Sequence, residues 1–94
     1  MANIKANGTA IIACGEEIVR LSNSYKNEIN RLFNLLSKLN TQAWTGTSAD
    51  KYVNIVSCQK QGFINFGENI EIYGKIIKNT GDNINRIIDK WEAK

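Results

Sequence analysis

Apolar residues recur through the first half of the chain at Ile11, Cys14, Ile18, Leu21, Tyr25, Ile29, Leu32, Leu36, Leu39 and Ala43. The steps alternate between three and four, apart from one extra four between Tyr25 and Ile29. That is the seam of a paired helix, with a stutter that locally unwinds the supercoil. The second half repeats the alternation without a slip, at Ala49, Tyr52, Val56, Gln59, Phe63, Phe66, Ile70, Tyr73, Ile77, Thr80, Ile84, Ile87 and Trp91. Only Gln59 and Thr80 are polar in that series. Period-two alternation is absent throughout, which argues against strands.

The pattern predicts one helix over about 9–40, a turn at 41–47, a second helix over about 48–91 and a short C-terminal tail. Thr9 is a candidate N-cap for the first helix, after a frayed start. Thr47 and Asp50 have the spacing of a capping box for the second. Gly46, just before it, can take a left-handed conformation at no steric cost, as a sharp turn requires. Average usage would place about five prolines in this length; there are none, so nothing vetoes long helices. Two long helices joined by a short turn lie antiparallel. The expected fold is all-α: a single domain, 1–94, forming an antiparallel two-helix hairpin.

A further set of apolar residues falls off these seams: Ile12, Val19 and Phe33 on the first helix, and Ile55, Ile72 and Ile76 on the second. Two helices cannot bury both stripes, so these six are the candidate partner interface. Two hairpins closing into a four-helix bundle is the simplest solution. The second helix would also be longer than the first, about 65 Å against about 48 Å. Its end, Ile84, Ile87, Ile88 and Trp91, would then be only partly covered within one hairpin. Gly67, Gly74 and Gly81 recur every seven residues beside the seam. Each costs a helix about 1 kcal/mol relative to alanine. Either they are merely tolerated, or they let another helix approach closely, or Gly81-Asp82-Asn83 is a break that leaves Ile84 to Trp91 as a separate end.

Charge and composition narrow the function classes. The net charge of +3 comes from interleaved signs, such as Glu16 with Arg20, Glu71 with Lys75 and Asp82 with Arg86. Such i,i+4 pairs mark solvated helix faces, and no basic cluster suggests nucleic acid. No apolar run approaches the length of a membrane span, so stable insertion is not expected. Ile11-Ile12-Ala13-Cys14-Gly15 mimics a lipoprotein cleavage box, but the apolar stretch before it is too short for a signal peptide. Folding the chain about residue 45 separates Cys14 from Cys58 by about 27 Å, beyond the reach of a disulfide. Two buried thiols are expected instead.

Chemistry has little to stand on. The chain has no histidine, and the cysteines have no neighbours at metal-ligand spacing. Glycine-rich phosphate loops are absent as well. No catalytic residue, metal site or cofactor is expected, and the chain does not read as an enzyme.

Trp44-Thr45-Gly46 stands at the middle of this pattern. As a bare tripeptide it is weak; between two amphipathic helices in 94 residues it is informative. With Ser48-Ala49-Asp50-Lys51-Tyr52 after it, and Phe63, Phe66 and Tyr73 further on, nearly the whole chain resembles the WXG, or ESX, family of small type VII secretion proteins. The resemblance implies a helical hairpin that forms a homodimer, or a heterodimer with a sister WXG protein. It further implies export through a type VII secretion ATPase without a cleaved signal peptide, from a cytoplasmic starting point. In the family the W-x-G corner sits beside a C-terminal export element of the partner. Trp44 and Gly46 carry that role over, with Thr45 between them, and Trp44 is also expected to close the end of the core. The candidate export region is Ile84, Ile87, Ile88, Asp89 and Trp91. One departure is plain: the family's Tyr-x-x-x-Asp/Glu signal is missing, since Tyr73 is followed at that spacing by Ile77. Asn85 to Asp89 is the nearest approximation.

Two rival readings come from other classes. One is an intracellular coiled-coil scaffold that is never exported; the other is an amphipathic protein acting on bilayers.

Overall fold

The computed structural model describes residues 7–92. Among them the fold is all-α, a helical hairpin without a strand. Helix α1 spans Gly8–Lys38, a π-helical segment spans Leu39–Ala43, α2 spans Thr47–Ser57 and α3 spans Lys60–Glu92. The expected C-terminal tail lies outside the described residues. The chain divides into two compact units, Met1–Leu21 with Ile70–Lys94, and Ser22–Asn69.

In the first unit, α1 starts one residue earlier than Thr9. The Asn7 side-chain oxygen accepts the Ala10 backbone N–H at 3.0 Å, so Asn7 supplies the capping oxygen. Here α1 and α3 run antiparallel and meet through glycine. A Cβ added to Gly15 would stand 2.6 Å from the Gly74 carbonyl oxygen and 2.6 Å from the Lys78 nitrogen; one added to Gly81 would stand 2.7 Å from the Gly8 carbonyl oxygen. These are backbone atoms and cannot rotate away. The glycines are therefore the surface along which the two helices touch, and any side chain there would wedge them apart. Close approach of this kind gains backbone dispersion contacts. Asn85 and Thr9 make a long polar contact at one end, 3.5 Å from Nδ2 to Oγ1.

This moves the seam. Ile12 and Val19, expected on the partner-facing stripe, lie instead against Gly81 and Gly74 of their own chain. Cys14 and Leu21, expected in the seam, are exposed. Buried Gly8, Gly15 and Ser22 carry the real contact line of α1, again at intervals of seven. Apolar periodicity identified the helices, and Ile11, Ile18 and Tyr25 of the expected seam are half-buried, but the closest contact runs along glycine and serine, to which hydrophobicity counts give no weight.

In the second unit, aromatic rings replace some of the glycine contacts. Tyr25 meets Phe66 edge to face at 5.8 Å between centroids, and Phe33 meets Phe63 at 6.4 Å. Gly67 lies against the Tyr25 ring. Phe33, another residue assigned to the partner stripe, is 8% exposed, and the Lys60 ammonium sits 5.6 Å from its ring centre. The second helix expected over 48–91 is two helices. The Gln59 N–H bonds to the Val56 carbonyl at 3.0 Å, three residues back, which tightens one turn. Neither proline nor glycine occupies 57–60, so the break has no local sequence cause. It accompanies the seating of Lys60 on Phe33. Cys58 caps α2 at this break, and its thiol, like that of Cys14, is exposed rather than buried.

Candidate interaction surface

Between the π-helical segment and α2, the chain reverses over Trp44, Thr45 and Gly46. The segment widens at Leu39–Ala43, where the Trp44 N–H reaches back five residues to the Leu39 carbonyl at 2.7 Å. Thr41 contributes locally, its hydroxyl donating to the Ser37 carbonyl at 3.0 Å and so competing with the regular helix ladder. The Asn40 amide then fastens the reversal twice. Its Nδ2 donates to the Trp44 carbonyl and to the Asp50 carboxylate, each at 3.2 Å.

Gly46 has φ +115° and ψ 175° and is the N-cap of α2. That region is open essentially to glycine alone. The expected capping box does not form: Thr47 is already inside the helix, no side chain caps it, and Asp50 turns to Asn40. At this position the Asp50 carboxylate still lies in the first turn, where the helix dipole favours negative charge.

Trp44 does not close a core. It is 39% exposed and rests on the half-exposed Tyr52, ring centres 5.5 Å apart. Thr45 and Gly46 are exposed. Of the other expected interface residues, Ile55, Ile72 and Ile76 are all exposed, in contrast to Ile12, Val19 and Phe33. Of the six, Phe33 is buried, Ile12 and Val19 are half-buried against their own chain, and the other three face out. At the C-terminal end, Ile84 and Ile88 are half-buried, Ile87 and Asp89 are exposed, and Trp91 is 74% exposed.

An apolar groove of about 440 Å³ opens in the second unit, lined by Tyr25, Gln59, Gly62, Phe63 and Phe66. Gly62 creates the opening, because a Cβ placed there would meet nothing within 4 Å. Gln59, Phe63 and Phe66 belong to the expected intramolecular seam, in which Gly62 has no place. The contrast between Gly62 and the packed glycines is not visible in the sequence, where all of them lie inside helical pattern.

Among the described residues only Phe33 and Ala49 are buried hydrophobics, whereas fourteen large ones are exposed. The ion pairs Lys75–Glu71 at 3.1 Å and Arg86–Asp82 at 2.8 Å each stay within one helix. The Arg86–Asp82 pair, open to solvent at both ends, contributes little to stability. No described helix is long and apolar enough to cross a membrane. The described residues contain no group of three or more His, Cys, Asp or Glu that could hold a metal ion. The described surface is therefore rich in exposed apolar side chains. No family model, curated protein or solved structure matches the chain.

Proposed function

We propose that this chain is a type VII secretion substrate or co-secreted adaptor that works by helix packing as a homodimer. The carrying observation is the Trp44-Thr45-Gly46 reversal. It links two helical arms, with Trp44 partly exposed on Tyr52 and Gly46 in a conformation that glycine alone adopts freely. Trp44 and Gly46 act as the corner of a recognition surface, and Ile87 and Trp91 supply exposed apolar contacts toward the machinery.

Surface chemistry supports dimerisation. Among the described residues fourteen large hydrophobics are exposed and only Phe33 and Ala49 are buried hydrophobics, a balance that favours covering apolar surface with a partner.

The test is the culture supernatant of strains with and without the type VII ATPase. Protein that reaches the medium only when the ATPase is present is the expected result. Protein that stays in the cells of both strains overturns the reading in favour of an intracellular scaffold. Within the export reading, Trp44→Ala reduces secretion more than folding. Because Trp44 is partly exposed, its removal leaves the helical circular dichroism signal in place.

A further inference from the structure

The groove at Gly62 has a symmetry that identifies its occupant. Gln59, Gly62 and Phe66 share the groove, and Asn69, one step further along the same stripe, is exposed. Gly62, Phe66 and Asn69 share one face of α3, and Gln59, just before its first turn, continues the spacing of three, four and three. All four are exposed, and none is charged. Phe66 stands out from the face, 58% exposed, one turn beyond the gap that Gly62 leaves.

The stripe is complementary to itself when reversed. Residues 62 and 66 are equidistant from 64, and so are 59 and 69. If two α3 helices cross antiparallel about a two-fold axis at that level, Gly62 of each faces Phe66 of the other. Gln59 then faces Asn69. The first pair matches a projecting ring with a missing side chain, as a knob fills a hole. The second matches two amides that can each donate and accept. A two-fold interface requires both reciprocal contacts to be favourable at once, and here both are. Gly62 also gains a cause, since a glycine within a helix weakens it and nothing in the same chain occupies the space.

We propose that a second copy of this chain packs its α3 antiparallel onto this stripe, seating the partner's Phe66 in the groove at Gly62. The inference rests on the homodimer in the reading above and not on export. Exposed Phe66 supplies apolar surface for such a contact, and the uncharged stripe offers no like-charge repulsion.

Sedimentation of the purified chain at micromolar concentration is the first measurement, with a dimer expected. Gly62→Leu should weaken the dimer about tenfold or more, as overpacking of a filled hole would. It should leave the helical circular dichroism signal intact, because the space is open within one chain. Cross-linking fixes the register. In a Cys14→Ser, Cys58→Ser background, Gln59→Cys with Asn69→Cys should give a disulfide-linked dimer on mild oxidation. Either single cysteine should not, because identical residues would stand about 15 Å apart along the antiparallel pair. The proposal is overturned by a monomer, by a dimer indifferent to Gly62→Leu, or by single cysteines that cross-link as well as the pair. A dimer of this register in a chain that is not exported would support the inference and sink the secretion reading alone.

Discussion

The side-chain amide of Asn40 spans the reversal to reach the Asp50 carboxylate, 3.2 Å away and ten residues later, while also donating to the Trp44 carbonyl. One side chain thereby ties the end of the π-helical segment to the start of α2. Each such bond contributes about 0.5–1.5 kcal/mol net, and partial solvent exposure keeps the pair toward the low end. Asn40→Ala is expected to cost about 1 kcal/mol. In a thermal melt that is a fall in Tm of roughly 4–8 °C for a chain of this size. An unchanged melting curve would show that the two bonds exchange freely with water.

Gly46 separates conformational strain from steric clash. A Cβ there meets no neighbour within 4 Å, yet the φ of +115° is unfavourable for any L-residue. Gly46→Ala should therefore cost about 1–3 kcal/mol with no repacking. Assembling the chain synthetically with D-alanine at position 46 should recover the stability, since positive φ suits a D-residue. Equal loss with both enantiomers would mean that the space, and not the dihedral angle, is what matters.

The contact-line glycines behave in the opposite way. At Gly15 or Gly74 the backbone angle is ordinary, but a methyl group would press on backbone of the facing helix at 2.6–2.9 Å. Gly15→Ala and Gly74→Ala are each expected to destabilise by about 1–3 kcal/mol, despite raising intrinsic helix propensity. Gly62→Ala, measured below the concentration of dimer formation, should stabilise by up to about 1 kcal/mol. Chemical denaturation of the three variants side by side checks this. Stabilisation by Gly15→Ala would refute the close helix contact.

Both thiols are exposed, so neither packs in a core. Cys14→Ser and Cys58→Ser should each shift stability by less than about 0.5 kcal/mol. Cys14 should react with a thiol reagent in the folded chain nearly as fast as in denaturant. Strong protection of Cys14 would place it in a covered interface.

Two helical arms, their reversal at residues 44–46 and the demand for glycine at 46 were legible in the sequence. Each follows from a local rule: three-four apolar spacing, the absence of proline, and the need for a residue without Cβ at a sharp turn. The choice of contact line was not. Leu21 and Leu32 fit an apolar seam better than Gly8, Gly15 and Ser22 do, yet the leucines are exposed and the small residues are buried. The heptad recurrence of small residues on α1, mirrored by Gly67, Gly74 and Gly81 on α3, was a signal available to sequence reading, but its meaning depends on the facing helix. The break before Lys60 has no local marker, with neither proline nor glycine at 57–60. Local sequence determined the two helical arms and the reversal between them, though not the break at residues 58–59. Only tertiary structure decided which face meets which, because backbone-to-backbone contact between helices belongs to the pair and to neither sequence segment alone.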